Sequence, residues 1–301
     1  MGIFYSPKTK ILIYGSNGWI GKLFINYLKH NYPNIHLFEG LSRIDNLPKI
    51  THEIKSINPT HIISFTGRTH GDINGTKVNT IDYLEYPGKL VENLRDNLFG
   101  PISLADICTR KGIHYTYLGT GCIFNSNGLD TVSPELFNEA SLPNYFGSGY
   151  SVVKGFTDRL MNNYKVLNLR IRMPISSIPD QRNFITKITN YSKICSIPNS
   201  MTVLDDFFPI FIDLVLKKKT GTYNCTNPGT ISHNEILTMY RDQINPDLKW
   251  TNFTKEEQLI ILKSDRSNNA LDTLKIEKEY PMLLDIKKSI NLAIDSMKKM
   301  L

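Results

Sequence analysis

The stretch Ile11-Leu12-Ile13-Tyr14-Gly15-Ser16-Asn17-Gly18-Trp19-Ile20-Gly21 decides the fold of this chain. An apolar run ends at a glycine, two more glycines follow at intervals of three residues, and an amphipathic segment begins at Trp19. This order predicts a buried strand, a tight turn and a helix, as in a dinucleotide-binding motif. Gly15 permits the turn, Gly18 lets the backbone approach a pyrophosphate, and Gly21 lets helix and strand pack closely. A plain strand-to-helix turn would also explain three glycines, but the flanking strand and helix favour dinucleotide binding.

The second predicted strand, near Ile35 to Phe38, bears on the choice of cofactor. Glu39 lies where an acidic residue would hold the ribose hydroxyl of NAD, and Ser42 and Arg43 follow where they would hold the extra phosphate of NADP. Glu39 could equally be a solvated residue at the strand end, so we favour NADPH. Its predicted site comprises the whole turn from Gly15 to Gly21, Ser42, Arg43, and Thr66 and Gly67 at the end of the next strand.

An alternation of strand and helix patterns predicts an α/β fold with a doubly wound parallel sheet of the Rossmann type. Further strands are predicted at 61–66, 114–118 and 166–171, and helices at 50–57, 148–163 and 90–110, the last broken near Gly100-Pro101. Beyond Arg172, proline-bearing loops and helical stretches at 207–218 and 232–243 predict a smaller lobe. We therefore expect a dinucleotide-binding domain over 1–171 and a substrate-binding lobe over 172–301, from which a strand or helix could return to the first domain.

Composition and charge exclude several classes of protein. The 301 residues carry a formal charge of +7, but the lysines and arginines are spread along the chain without a nucleic-acid module. No apolar run reaches the length of a membrane span, and the polar segment Met1–Lys10 carries no secretory signal. The four cysteines have no metal-binding spacing. We expect a cytoplasmic enzyme with free thiols that binds no metal, nucleic acid or membrane.

The segment Tyr150-Ser151-Val152-Val153-Lys154 places a phenol and an ammonium four residues apart on one face of a predicted helix. The lysine favours the phenolate, which prepares the tyrosine for proton transfer to a carbonyl oxygen. Such pairs are common on helix surfaces, but this one follows a dinucleotide motif and precedes another strand. Here the chain resembles the extended short-chain dehydrogenase/reductase family. The resemblance implies that Tyr150 is the acid, that Lys154 orients it and the nicotinamide ribose, and that Thr120 binds the substrate carbonyl.

The segment Thr120-Gly121-Cys122 narrows the choice within that family. It resembles the Ser/Thr-x-Cys of enzymes that epimerise and then reduce nucleotide-linked 4-keto-6-deoxy sugars. Protons beside a keto group are acidic, and a thiolate can remove one. Inversion then needs an acid on the opposite face. The resemblance makes Lys187, in Arg182-Asn183-Phe184-Ile185-Thr186-Lys187, the candidate, although an isolated lysine is usually a solvated surface group.

Longer segments are similar to the epimerase/reductase portion of plant UDP-rhamnose synthases. They cover nearly the whole chain: Gly15–Gly21, Gly119–Phe124, Arg182–Lys187, Asn199–Asp205, Thr226–Gly229, Ser232–Leu237 and Arg266–Asn269. The resemblance implies a homodimer, UDP-4-keto-6-deoxyglucose or its dTDP analogue as substrate, and an upstream 4,6-dehydratase that supplies it. It also implies a set of substrate-binding residues: Arg68, Thr120, Cys122, Asn183, Lys187, Asn199, Met201 and Arg266. Without the resemblance, a surface charge at Arg266 and a turn residue at Asn199 would be about as likely as contacts with the substrate.

Two other functions stay open at this point. A reductase that acts only on an already epimerised keto sugar typically lacks the cysteine, so Cys122 argues against it. A non-catalytic NADP-binding regulatory subunit, like the one that partners methionine adenosyltransferase, would not need the intact set of Thr120, Tyr150 and Lys154. The resemblance therefore implies an NADPH-dependent 3,5-epimerase/4-keto-reductase that converts UDP-4-keto-6-deoxy-D-glucose to UDP-β-L-rhamnose.

Overall fold

The structure is a computed structural model that describes residues 9–126 and 135–300. Most of the segment predicted to lack a secretory signal, residues 1–8, lies outside the described residues. The strands in the described part of the chain are β1 (Lys10–Tyr14), β2 (His36–Glu39), β3 (His61–Ser64), β4 (Gly71–Ile73), β5 (Thr76–Val78), β6 (His114–Thr120), β7 (Leu136–Phe137), β8 (Leu167–Ile171), β9 (Pro174–Ile175), β10 (Lys193–Ile194), β11 (Thr202–Val203), β12 (Gly221–Asn224), β13 (Thr251–Asn252) and β14 (Ala270–Leu271).

The described part of the chain also contains helices, most of them α-helices. They are α1 (Trp19–Asn31), α2 (Leu47–Ile57), α3 (Lys89–Leu94), α4 (Gly100–Lys111), α5 (Gly149–Met161), α6 (Phe184–Thr189), α7 (Leu204–Leu216), α8 (His233–Gln243), α9 (Lys255–Ile261), α10 (Leu274–Glu279) and α11 (Ile286–Lys298), with a 3₁₀ turn at Ile81–Glu85 and a π-helical turn at Arg95–Phe99. Within the described ranges, no helix is long and apolar enough to cross a membrane.

Six strands form the main sheet, in the order β12-β8-β6-β3-β1-β2. β1 pairs in parallel with both β2 and β3, and β3 pairs in parallel with β6. The chain therefore moves outward from β1 in both directions, which is the doubly wound arrangement predicted from the sequence. The predicted fold class is confirmed. β12, from the carboxyl-terminal half of the chain, completes the sheet beside β8.

The chain divides into two compact units, each made of several stretches. The first unit takes the described residues up to Gly119, together with Gly149–Leu169 and Ile212–Thr222. The second takes the described residues of Thr120–Ser148, Arg170–Phe211 and those from Tyr223 onward. The predicted domains, 1–171 and 172–301, have a single boundary between them, whereas each of the two units consists of three separate stretches of the chain.

Each unit has an apolar core of its own. In the first unit, Leu12 and Ile62 from the sheet pack with Leu104 and Ala105 of α4. In the second, residues of α6, α8 and α11 surround the short strands β9 and β11, and the buried members include Ile185, Ile236, Ile290, Ile175 and Val203. The 3.6-residue spacing of the apolar side chains explains why these helices form and which face they bury.

The helix predicted over 90–110 is interrupted by a π-helical turn, and the local sequence explains the position of this interruption. Pro101 has no backbone N–H, so the carbonyl of Asn97 cannot receive the usual helical hydrogen bond from it. The hydroxyl of Thr157 in α5 donates to this carbonyl instead, at 2.7 Å. The chain takes a π-helical turn just before Gly100, near the predicted break, and continues as α4.

Candidate active site

The glycine turn between β1 and α1 has the geometry that its sequence predicts. Gly15 has a φ of +78°, in the left-handed region that favours glycine. A Cβ at Gly21 would lie 2.3 Å from the carbonyl oxygen of Gly15, so only glycine allows α1 to approach the turn this closely. Gly18 is the N-cap and provides no side-chain cap, and the first turn of α1 carries no acidic residue. The helix N-terminus therefore suits a phosphate group.

The end of β2 and the loop that follows it contain the residues that are predicted to distinguish NAD from NADP. Glu39 is exposed and forms an ion pair with Lys29 at 3.5 Å. Arg43 is exposed as well, and its guanidinium contacts the carboxylates of Asp45 and Asp96, both at 3.0 Å. The carboxylate of Glu53 holds this loop, because it accepts the backbone N–H groups of Leu41 and Ser42 and the phenol of Tyr14.

A cavity of about 550 Å³ opens beside Ser42 in the first unit. Lys49 and His52 of α2 also line it, and the sequence analysis overlooked them. Both follow the predicted phosphate site by fewer than ten residues, so their position in the same loop and helix was a usable signal. A lysine and a histidine beside a serine hydroxyl are groups that suit a phosphate.

The end of β3 continues into Thr66, Gly67 and Arg68. The hydroxyl of Thr66 lies 2.6 Å from that of Ser64, which shapes the loop after the strand. A Cβ at Gly67 would lie 3.1 Å from the side-chain oxygen of Asn97. The guanidinium of Arg68 contacts Asp96 at 2.5 Å, and its backbone N–H donates to Asn97 at 2.8 Å. The predicted cofactor and substrate roles of these three residues stay predictions.

Tyr150 and Lys154 lie one turn apart on α5, as their spacing predicts. Tyr150 is half-buried, whereas Lys154 is buried. The ammonium of Lys154 donates a hydrogen bond to the phenol oxygen of Tyr117 and lies 4.5 Å from the centre of that ring. Burial, and then the neighbouring Tyr150, raise the pKa of Tyr117 well above its usual value, so Tyr117 stays neutral. The sequence analysis missed Tyr117, although it stands only three residues before Thr120 in β6.

Thr120 and Cys122 lie at the carboxyl end of β6. Thr120 is the last residue of the strand, and its side-chain oxygen accepts the backbone N–H of Cys122 at 3.1 Å. Its hydroxyl proton can therefore be donated to another acceptor. Cys122 is half-buried and forms no disulfide. This short turn thus presents a hydroxyl donor and a thiol two residues apart.

Lys187 lies on α6, the short helix that begins after Asn183. Asn183 is fully buried and caps this helix, because its side-chain oxygen accepts the N–H of Ile185 at 3.3 Å. Burial, and then the nearby charge of Arg182, lower the pKa of Lys187. A lysine with a lowered pKa gives up its proton more readily near neutral pH, which suits an acid. The substrate contact predicted for Asn183 stays a prediction beside its capping role.

The remaining predicted substrate contacts also belong to the second unit. Met201 and Asn199 are fully buried. The side-chain oxygen of Asn199 accepts the N–H of Asn269 at 2.9 Å, and its amide donates to Asn268 at 3.0 Å. Arg266 is half-buried and donates to the backbone and side chain of Ser264. Their predicted substrate contacts also stay predictions.

The structure reveals a polar network behind the Cys122 turn that the sequence analysis did not predict. Asn269 is fully buried and donates to the carbonyl oxygens of Gly121, at 2.9 Å, and Phe124, at 2.7 Å. Ser267 donates to the same Phe124 oxygen at 2.6 Å. Arg172, directly after β8, donates to Gly121 as well, at 3.4 Å. Arg172, the charged residue that directly follows β8, was the sequence signal for this network.

Comparisons with known proteins identify relatives of this chain. No protein-family model matches the chain. The L780 UDP-rhamnose synthase from Acanthamoeba polyphaga mimivirus is similar in structure, with a TM-score of 0.91 and 51% identity, covering 96% of this chain and 99% of that chain. The bifunctional dTDP-4-dehydrorhamnose 3,5-epimerase/dTDP-4-dehydrorhamnose reductase of Arabidopsis thaliana is 43% identical over 288 residues, which are 95% of this chain and 92% of that protein.

A more distant structure shares the fold. The dTDP-4-dehydrorhamnose reductase of Bacillus anthracis, solved in complex with NADP, has a TM-score of 0.77 at 17% identity, covering 98% of this chain and 100% of that chain. At this identity the likeness shows the fold alone.

Proposed function

The chain belongs to the rhamnose synthase family of bifunctional 3,5-epimerases and 4-keto-reductases, and on that premise we propose that it converts UDP-4-keto-6-deoxy-D-glucose to UDP-β-L-rhamnose with NADPH. The observation that carries the proposal is the turn at the end of β6. There, a threonine hydroxyl and a cysteine thiol lie two residues apart, joined by a hydrogen bond. A reductase alone needs the threonine, whereas an epimerase also needs a base such as the cysteine.

Epimerisation is assigned to Cys122 and Lys187. The thiolate of Cys122 removes the proton beside the keto group, and the electron pair of the C–H bond moves into an enolate. Lys187 then gives a proton to the opposite face of the same carbon. The sulfur is left as a thiol and the lysine as a neutral amine, and exchange of protons with water restores both. The lowered pKa of Lys187 supports this role, because the acid must release its proton near neutral pH.

Reduction is assigned to Tyr150, Lys154 and Thr120. Thr120 donates a hydrogen bond to the keto oxygen at C4, and Tyr150 gives that oxygen its proton. Lys154 stabilises the resulting tyrosinate electrostatically. The hydrogen bond from Lys154 to Tyr117 supports this assignment, since it fixes the ammonium one helical turn from Tyr150.

The cofactor is assigned to residues of the first unit. The uncapped N-terminus of α1 and the close approach at Gly21 fit a pyrophosphate on the glycine turn. Ser42 and Arg43, at the loop after β2, are assigned to the ribose phosphate of NADP. When bound, NADPH supplies the hydride for the reduction.

The chemistry of the substrate sets the place of this reaction in a sequence. A 4-keto-6-deoxy sugar arises when a nucleotide sugar is oxidised at C4, loses water across C5 and C6, and then takes the hydride back at C6 and a proton at C5. We therefore propose a 4,6-dehydratase as the upstream partner. We also propose a cytoplasmic location, because the four cysteines form no disulfide, as is usual in a reducing compartment.

A homodimer is the proposed assembly. Several large apolar side chains of α3, α5 and the π-helical turn are exposed in the first unit, and an apolar patch of this kind commonly marks a protein interface. They are Leu90, Val91, Leu94, Phe99, Phe156 and Leu160. Sedimentation equilibrium of the wild type and of Val91→Glu tests this assignment, and a wild-type monomer at micromolar concentration would contradict it.

The test of the function uses the keto sugar in heavy water. Wild-type protein with oxidised cofactor should incorporate deuterium at the carbons beside the keto group, measured by mass spectrometry. With NADPH it should form UDP-rhamnose, or its dTDP counterpart if that nucleotide is preferred.

The matched variant is Cys122→Ser, which keeps the size of the side chain but replaces a titratable thiol with a hydroxyl that hardly ionises near neutral pH. It should abolish deuterium incorporation while the cofactor still binds. Lys187→Met should slow inversion but permit exchange, because the base can still remove a proton. If Cys122→Ser exchanges deuterium at the wild-type rate, Cys122 is a packing residue and the epimerase assignment fails.

A further inference from the structure

Three guanidinium groups of the first unit meet at a single carboxylate, that of Asp96. Its Oδ1 accepts hydrogen bonds from Arg43 at 3.0 Å and from Arg95 at 2.8 Å. Its Oδ2 accepts a third from Arg68 at 2.5 Å. We call Arg43, Arg68 and Arg95 the arginine cluster. Like charges repel at such short range, so a cluster of this kind needs anions to hold it together.

A π-helical turn brings Arg95 into this cluster. Arg95 is the first residue of the turn Arg95–Phe99, which follows α3. Asn97, in the same turn, accepts the backbone N–H of Arg68 at 2.8 Å and donates to its carbonyl at 2.9 Å, which fixes the turn on the loop after β3. Single π-helical turns are rare and are frequently found at functional sites. Arg95 is therefore held at the edge of the sheet where a Rossmann fold binds its cofactor.

Arg43 and Arg95 also share a second carboxylate, that of Asp45. Its Oδ1 lies 3.0 Å from Nε of Arg43, and its Oδ2 lies 3.5 Å from Nε of Arg95. Because the same two carboxylates bridge both guanidinium groups, these groups lie side by side. The side chains of Arg43 and Arg95 are 58% and 36% exposed, but those of Asp45 and Asp96 only 21% and 12%. A ligand from solvent can therefore reach the arginines more easily than the carboxylates can.

The arginine cluster and the side chains paired with it have an excess of positive charge. Glu92 lies 3.5 Å from Arg68 but is paired with Lys89, at 2.6 Å. In the described part of the chain, four cationic side chains thus face three carboxylates: Arg43, Arg68, Lys89 and Arg95 against Asp45, Glu92 and Asp96. The uncompensated charge attracts an anion, and two adjacent guanidinium groups match the several oxygens of a phosphate.

We propose that Arg95 is a second binding residue for the ribose 2′-phosphate of NADPH, beside Arg43, and that Asp45 is the carboxylate that competes with this phosphate for both arginines. The inference rests on the proposed function, in which Ser42 and Arg43 hold the same phosphate. NADH carries a hydroxyl at this position and gains little from a second guanidinium. Arg95 therefore strengthens the preference for NADPH, whereas Asp45 weakens it.

The test measures the affinity of the full-length protein for NADPH and for NADH by fluorescence titration. Arg95→Met keeps most of the side-chain stem but removes the charge. It should bind NADPH about tenfold more weakly and NADH less than about twofold more weakly. Displacement of NADPH by adenosine 2′,5′-bisphosphate and by adenosine 5′-monophosphate should show the same contrast without a nicotinamide. Arg95→Lys keeps a charge without the planar fork, so its affinity for NADPH should lie between those of the wild type and Arg95→Met.

A matched control removes the same charge elsewhere in the first unit. Arg110, near the end of α4, is 69% exposed and pairs with Asp106 at 2.6 Å. Arg110→Met should leave both affinities unchanged, since net charge alone does not create the preference for NADPH.

A second variant tests the competing carboxylate. Asp45→Asn keeps the shape of the side chain but removes its charge, so the protein should bind NADPH about two- to fivefold more tightly and NADH as before. An aspartate that merely holds the arginines in place would give the opposite sign, because its loss would weaken NADPH binding.

The inference is overturned if a folded Arg95→Met loses affinity for NADPH and NADH equally, or loses none. If Arg95→Met does not fold, Asp45→Asn decides the question, and unchanged or weaker NADPH binding rejects the inference. A wild type that binds NADH as tightly as NADPH rejects it as well, even if the sugar chemistry proceeds. These titrations need no keto sugar. A wild type that shows the expected affinities but forms no UDP-rhamnose would therefore contradict the proposed function and leave the role of Arg95 intact.

Discussion

Two alanine substitutions in the glycine turn should separate protein stability from cofactor affinity. At Gly21 the new Cβ would lie 2.3 Å from the carbonyl oxygen of Gly15, and real contacts of this kind are longer than 3.0 Å. Backbone stands on both sides, so α1 must move away from the turn by most of an ångström. Overpacking of this kind typically costs about 1–3 kcal/mol. Gly21→Ala should therefore lower the free energy of unfolding of the cofactor-free protein by about that amount.

Gly18 provides the matched comparison in the same turn. A Cβ there would lie 3.2 Å from the same oxygen, a tight contact that a small shift relieves. Its φ of −72° and ψ of 159° are accessible to alanine. The cost to the cofactor-free protein should be below about 1 kcal/mol, close to that of an N-cap alanine. The same methyl group would stand where the backbone is proposed to approach the pyrophosphate, so NADPH affinity should fall at least tenfold.

Urea unfolding without cofactor and fluorescence titration with NADPH measure the two effects separately. The expected pattern is a large loss of stability in Gly21→Ala and a large loss of affinity in Gly18→Ala. The reasoning is refuted if Gly18→Ala destabilises the cofactor-free protein as much as Gly21→Ala does. It is equally refuted if Gly18→Ala binds NADPH as the wild type does, since the pyrophosphate would then lie elsewhere.

Three further substitutions test single residues. Tyr150→Phe should lose about a hundred- to ten-thousand-fold in the rate of NADPH oxidation with the keto sugar but keep deuterium exchange, and near-normal turnover would remove the tyrosine from the mechanism. Arg43→Ala should weaken NADPH about ten- to a hundredfold and NADH little, measured by titration; equal losses would make it a structural residue. Burial, and then the nearby charge of His114, lower the pKa of His61 to about 4 in the folded protein. Between pH 6.5 and 4 the unfolded chain therefore binds more protons at His61 than the folded protein does, so the free energy of unfolding falls as the pH drops through that range. Urea unfolding at pH 7.5 and 5 should show about 2 kcal/mol of this loss in the wild type and not in His61→Phe.

The sequence predicted those parts of the site that depend on neighbours along the chain. The spacing of Gly15 and Gly21 follows from the geometry of one turn, and the spacing of Tyr150 and Lys154 follows from one helical turn. Capping signals are local as well, and Ser232 caps α8 at the predicted start of that helix. Such features are visible because the interacting residues lie within a few positions of each other.

The rest of the site depends on contacts between distant parts of the chain. Asn199 could not be recognised as the partner of Arg172 and Asn269, because 27 and 70 positions separate it from them. The ion pair of Arg43 with Asp96 spans 53 positions. A charged residue predicted to meet a ligand can equally be held by such a partner, and sequence patterns do not distinguish the two. The hydrogen bond from Lys154 to Tyr117 escaped prediction for the same reason.

The interleaving of the two units limits how new specificity can be engineered into this enzyme, or acquired in evolution. The chain crosses between the units at five places, after Gly119, Ser148, Leu169, Phe211 and Thr222. A chimera that takes the second unit from a relative must therefore join the two parents correctly at all five crossings, and no single recombination event can transfer that unit whole. Exchange of individual segments, such as the one that carries α6 and Lys187, needs only two junctions. Change in the recognised sugar or nucleotide should therefore proceed by replacement of segments rather than by shuffling of modules.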